Sequence, residues 1–150
     1  MTGTESAPKR LRVESDTDRL ADVRAFVRGA VSSFGGSKAV ADDLVQAVDE
    51  ATCNVMLHGY GHEPGAIDIE AALRDGKIEI RLLDRAPVFD PTAGPSKDTT
   101  RPPVPRRSGG MGVGVHLLRT MTDEVHHHVR PDGGNELTLV RSIDDAAKEG

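Results

Sequence analysis

Apolar residues recur at three- and four-residue spacing from Leu20 through Val23, Phe26, Val27, Ala30 and Val31 to Phe34, which predicts an amphipathic helix. Asp16 or Thr17 can cap its start, and Gly35-Gly36 stops it. Ser37 can open a second helix with Val40, Leu44, Val45, Val48, Ala51 and Val55 on its apolar stripe, ending at Gly59 and Gly61. The period then changes to two. Ile67, Ile69, Ala71 and Leu73 alternate with other residues, Asp75-Gly76 signals a tight turn, and Ile78, Ile80 and Leu82 alternate again, so a hairpin is expected. Upstream, "KRLRVES" (residues 9–15) reads as a short edge strand.

From Pro87 to Ser108 the chain is rich in Pro, Gly, Lys, Arg and Thr and has no period; a loop of this length in a small domain is usually functional or disordered. "GGMGVGVHLLRTMTDE" (109–124) opens with glycines and turns helical through Val115, Leu118 and Met121. "EVHHHVR" and "ELTLVRSI" read as a final hairpin around Pro131 to Gly134. The order is strand, two helices, two strands, loop, helix, two strands. It predicts an α/β protein, an α+β two-layer sandwich with helices grouped on one face of a mostly antiparallel sheet. One domain over 10–143 is expected, between a disordered lead (1–9) and a frayed tail (144–150).

Composition narrows the chemistry. Aromatics are 3% with no Trp, so the core is aliphatic and platforms for stacking single-stranded bases are not expected. A net charge of -5 argues against a general nucleic-acid binder, while leaving room for a basic protein partner. Cys53 is the single cysteine, so no disulfide forms within the chain; a small core thiol in a reducing compartment is the simplest reading. No apolar run reaches the length of a membrane span and no signal peptide is evident at the N-terminus, so a cytoplasmic protein without membrane contact is expected.

Three stretches can carry chemistry. In "DEATCNVMLHGYGH" (49–62), Glu50, Asn54 and His58 follow at four-residue intervals along one helical face. They lie beside the apolar stripe, and Asn is a poor helix-interior residue, which weighs against a plain solvated face. An amide oxygen suits Mg²⁺, and a carboxylate one turn earlier can take a proton from an attacking hydroxyl. In "DRAPVFDP" (84–91), Asp84 ends an alternating strand, where it can accept a hydrogen bond from an exocyclic amine or simply lead into a turn. In "SGGMGVG" (108–114), glycines before a helix let backbone N–H groups approach phosphate oxygens; neither the Rossmann nor the Walker A pattern is met. The run His126-His127-His128 alternates across a strand, so solvent-exposed residues are expected there instead of a metal site. His58 and His62 are separated by glycines and do not form a helical zinc pair.

Taken together and in order, these stretches resemble the GHKL ATPase superfamily, built on the Bergerat ATP-binding fold. The similarity is strongest to its single-domain anti-sigma-factor serine/threonine kinases and covers roughly residues 10–143. "DEATCNVMLHGY" resembles the family's N box, "DRAPVFDP" its first glycine box, "GGMGVGVHLLRTMTDEV" its second, and "GGNELTLV" its closing strand. The resemblance implies Asn54 as a ligand of Mg²⁺ on ATP and Glu50 as the general base toward a serine or threonine hydroxyl. It implies Asp84 and Ala86 at the adenine, and Gly109, Gly110, Met111, Gly112, Val113 and Gly114 around the phosphates. The Pro-rich loop would be the ATP lid, with Arg106 or Arg107 reaching the γ-phosphate; His58, at the end of the N box, is implied as a further nucleotide contact, against packing at the helix end. Ala86 departs from the family's usual glycine. The implied partners are an anti-anti-sigma protein of the STAS type, as phosphorylation substrate, and a sigma factor; a homodimer using the first helix is implied as well. A nucleotide-binding module of the same fold acting through partner binding alone is the alternative.

Overall fold

A computed structural model describes residues 7–61, 63–87 and 118–144 of the protein. The first strand, β1, spans Lys9–Glu14. Asp16 then caps a 3₁₀ turn, Thr17–Arg19, its carboxylate accepting from the Asp18 N–H at 2.9 Å. This turn runs directly into α1, Leu20–Ser33. Gly35 and Gly36 close α1 with paired bonds to the Ser32 and Val31 carbonyls, a Schellman arrangement. Helix α2, Lys38–Asn54, starts at Ser37, whose hydroxyl accepts from the Val40 N–H at 3.2 Å.

The end of α2 differs from expectation. Its α-helical bonding stops at Asn54 and the chain continues as a π-helical turn, Val55–Tyr60, with Gly61 at positive φ beyond it. Gly59 therefore lies inside the turn instead of ending a helix. A π turn takes more residues per revolution than an α turn, so residues beyond Asn54 fall out of phase with the face that Glu50 and Asn54 share.

Strands β2 (Ala66–Arg74) and β3 (Lys77–Asp84) form the expected hairpin. Asp75 and Gly76 both have positive φ, as a two-residue turn matching strand twist requires. Strands β4 (Glu124–Val129) and β5 (Asn135–Ser142) form the second hairpin. The five strands are antiparallel in the order β1-β2-β3-β5-β4, leaving β1 and β4 at the edges.

Both helices pack on one face of this sheet. Val23, Val27, Val31, Leu44 and Val48 join Ile67, Ile69, Ile78, Ile80, Leu82 and Leu139 in one aliphatic core. Each such side chain contributes about 1.5–3 kcal/mol by leaving water. The opposite face carries charge: Arg81 lies between Glu70 and Glu136, at 2.6 and 3.5 Å. Arg141 is an exception, since it points into the core side of β5 and pairs there with Asp43 of α2 at 3.0 Å. Residues 118–121 are helical, and Leu118 is buried in the same core. Among the described residues, no helix is long and apolar enough to cross a membrane.

Candidate functional site

The register places Ile67, Asp84, Asn135 and Val129 in one line across four strands, at the sheet end beneath the C-terminus of α2. Asp84 is 2% exposed and Asn135 3%. The Asp84 Oδ1 accepts from the Ala86 backbone N–H and from the Asn135 Nδ2, both at 2.9 Å. Burial pushes the Asp84 carboxyl above its ordinary pKa, and these hydrogen bonds pull in the opposite direction.

The surroundings lock this carboxylate in place. The Arg130 guanidinium donates to the Asp84 carbonyl at 3.0 Å. Gly134, at φ +98°, passes so close that a Cβ there would collide with that same carbonyl oxygen. Tyr60, at the end of the π turn, donates its hydroxyl to the Ala66 carbonyl and accepts from the Arg85 N–H, each at 2.8 Å. One phenol thus ties the exit of α2 to the start of β2 and the end of β3.

Asn54 faces this assembly from α2. It is 5% exposed; its amide lies near the Glu50 carboxylate one turn earlier, and its buried Nδ2 makes no well-formed hydrogen bond among the described residues. A buried donor left unmade is expensive, by about 1–3 kcal/mol, which singles Asn54 out among the polar residues of α2. Asn54 and Asp84 line one small cavity of about 10 Å³ together with Ala51, Leu118, His127 and Asn135. That volume holds about one water, far less than the several hundred Å³ of a ligand pocket.

Glu50 lies one α-helical turn before Asn54 and is half-buried. Burial raises its pKa; the Asn54 amide and the His58 charge lower it, and Asp49 adds to the rise. His58 itself is exposed on the π turn. Cys53 is partly buried instead of fully buried, and burial together with the nearby Glu50 and Asp49 raises its pKa, which disfavours a reactive thiolate.

Over residues 13–141 the sequence matches the histidine kinase-like ATPase domain. The chain belongs to this family. It is 30% identical over 132 residues to the serine-protein kinase RsbW of Listeria monocytogenes, covering 84% of this chain and 81% of that protein. With the RsbW of Bacillus cereus it shares 24% identity over 137 residues, 89% of this chain and 83% of that one. The crystal structure of the RsbU and RsbW domains of Rv1364c from Mycobacterium tuberculosis matches with a TM-score of 0.63 at 21% identity, over 91% of this chain and 32% of that one. That likeness shows the fold, and this chain spans about a third of the solved one.

For a histidine kinase-like ATPase, the structure brings Asn54 and Asp84 to one cavity and sets Glu50 one turn from Asn54. Ala86 is 1% exposed, and Asp75 is the single non-glycine residue with positive φ among the described ones. The alanine therefore sits in an ordinary conformation with its N–H engaged by Asp84. Arg106, Arg107, Gly109, Gly110, Met111, Gly112, Val113 and Gly114 lie outside the described residues, as does His62. Among the described residues no group of three or more His, Cys, Asp or Glu side chains could hold a metal ion. His126 and His128 stand on the charged face, where His126 meets Glu124 at 2.8 Å, while His127 faces the site.

Sequence reasoning missed Asn135, Tyr60, Arg130 and His127. The Gly133-Gly134 pair was the one available signal, since glycines before a strand often mark a close backbone approach.

Proposed function

We propose that this histidine kinase-like ATPase binds Mg²⁺·ATP between the end of α2 and the Asp84 end of the sheet and phosphorylates a serine or threonine of a small anti-anti-sigma protein of the STAS type. When that antagonist is absent or already phosphorylated, it holds a sigma factor inactive in the cytoplasm. The observation that carries the reading is that Asn54 and Asp84 line one cavity from opposite layers, with Glu50 one helical turn away. The relatives named serine-protein kinase support the choice of reaction.

The donor set fits the ligand. Asn54 would offer a hard amide oxygen to Mg²⁺, which would supply charge stabilisation to the phosphates there. Its buried Nδ2 finds an acceptor in the same ligand. Held by the Ala86 N–H and by Asn135, the Asp84 carboxylate is oriented to accept from the purine amine. Bound Mg²⁺·ATP supplies the phosphoryl group and offsets its charge. Glu50 takes the hydroxyl proton as that oxygen bonds to the γ-phosphorus and ADP leaves; its raised pKa makes it the stronger base. Gly109, Gly110, Met111, Gly112, Val113 and Gly114 hold the phosphates, and Arg107 stabilises the charge that develops on transfer.

A homodimer is part of the proposal. Val23, Val27, Ala30 and Val31 of α1 are spent within the fold, so its contribution to an interface comes from its outer face.

Incubation with γ-labelled ATP, Mg²⁺ and a purified STAS-type antagonist tests the reading. Label on a serine or threonine of the antagonist supports it. Binding of Mg²⁺·ATP without any transfer would leave the non-catalytic module instead.

A further inference from the structure

We propose that His127 is a positioning residue for purine recognition, acting through Asn135 on the carboxylate of Asp84. The inference rests on the reading of Asp84 as the purine contact. Its basis is a directed chain of hydrogen bonds.

The Asn135 amide has two different sides. One side meets three acceptors: the Asp84 Oδ1 at 2.9 Å, the Pro87 carbonyl at 3.3 Å and the Ala86 carbonyl at 3.4 Å. Only the NH₂ end suits that side, since a flipped amide would set oxygen against three oxygens. The amide oxygen is therefore turned the other way, where the His127 Nε2 lies at 2.8 Å. An oxygen there requires Nε2 to carry a proton and donate it. The chain runs in one direction, from His127 to Asn135 to Asp84.

His127 is placed for this by the strand period. It pairs with Leu137 across the β4–β5 register and lines the cavity that Asn54 and Asp84 share. Its neighbours His126 and His128 face the other side of the sheet. Removing the His127 donor takes away the 2.8 Å bond to the amide oxygen of buried Asn135 and loosens the direction in which Asp84 presents its carboxylate. A purine with a 6-amino group donates to that carboxylate, whereas a 6-oxo purine presents an acceptor. The chain thereby bears on the choice between them.

Two arms test this. The first uses the protein without nucleotide. Nitrogen NMR of wild type should show a protonated Nε2 on His127, and the Asn135 side-chain amide, assigned by its loss in Asn135→Asp, should be shifted from exposed amides. His127→Leu should move that amide signal, and His127→Gln, which restores an N–H donor, should return it toward wild type. The second arm compares calorimetric affinities for Mg²⁺·ATP and Mg²⁺·inosine triphosphate. The preference for ATP should fall about three- to tenfold in His127→Leu and stay within about twofold of wild type in His127→Gln, as one hydrogen bond's worth predicts.

An Nδ1–H tautomer of His127, or an Asn135 signal and an ATP preference unchanged in His127→Leu, overturns the role of His127 alone. A wild type that does not distinguish the two nucleotides overturns the purine reading of Asp84, and this role with it. The tautomer measurement on wild type decides the matter even if His127→Leu does not fold.

Discussion

Asp84 and Asn135 are paired across the β3–β5 register, and the Asn135 Nδ2 donates to the Asp84 Oδ1 at 2.9 Å although 51 residues separate them. The bond joins the end of one strand to the start of another, at the sheet end beneath the C-terminus of α2. Asp84 is buried to 2% exposure, and its fixed donors offset part of the cost of holding a charge there.

A pH-dependent stability follows. The folded-state pKa of Asp84 is raised, with burial the largest cause. A raised carboxyl binds its proton more tightly in the folded chain than in the unfolded one. Its contribution to stability is therefore full below the ordinary carboxylate range and is lost as pH rises through the folded pKa. Asp84→Asn has no such titration. Urea denaturation of both proteins from acidic to neutral pH should show the stability difference shifting toward the variant as pH rises. The same variant should lose preference for ATP over GTP; an unchanged preference would count against the purine role.

Asn54→Ala should separate folding from binding. The substitution removes a buried donor that makes no well-formed hydrogen bond among the described residues and replaces a poor helix former with a good one. The ligand-free variant is expected to be as stable as wild type, or more stable by about 1 kcal/mol, in urea denaturation. Calorimetry should show the opposite for Mg²⁺·ATP, with affinity clearly reduced. A variant that loses stability and binding together would mean that Asn54 serves the fold.

These residues also show what was legible in the chain. The helices and the Asp75–Gly76 hairpin were readable because periodicity and caps are local, and Ser37 and Gly76 act where they stand. Glu50, Asn54 and Asp84 were recognisable as polar residues in places that apolar patterns do not explain. Asn135 was not, since its role depends on register with a strand far away in sequence. The π turn at Val55–Tyr60 was hidden as well, because its sequence continues a helical pattern. Arg141 shares the inward phase of β5 with Leu137 and Leu139, and only the packing of α2 over β5 gives it Asp43.

Gly134 and Gly133 offer a paired test of close approach. Both have positive φ, but a Cβ on Gly133 meets nothing within 4 Å, whereas one on Gly134 meets the Asp84 backbone. Gly133→Ala should lose about 1–2 kcal/mol from backbone strain alone. Gly134→Ala should lose clearly more and also weaken Mg²⁺·ATP binding, because Asp84 must shift to make room. Chemical denaturation and calorimetry on the two variants check this. Equal losses would mean that the contact with Asp84 is easily relieved.

Glu50 sets the pH dependence of the proposed transfer. Burial raises its pKa, so its carboxylate fills only as pH rises through a value above that of an ordinary glutamate. The acidic limb of kcat/KM for phosphorylation of the antagonist should accordingly lie above the usual glutamate range. Glu50→Gln should remove that limb and slow transfer by about a hundredfold or more, since a positioned general base contributes 10²–10⁴-fold. Affinity for Mg²⁺·ATP should change little, because Asn54 and Asp84 are untouched. Transfer by Glu50→Gln at the wild-type rate would move the base elsewhere in the site, and a lost affinity with unchanged rate would make Glu50 part of the nucleotide contact instead.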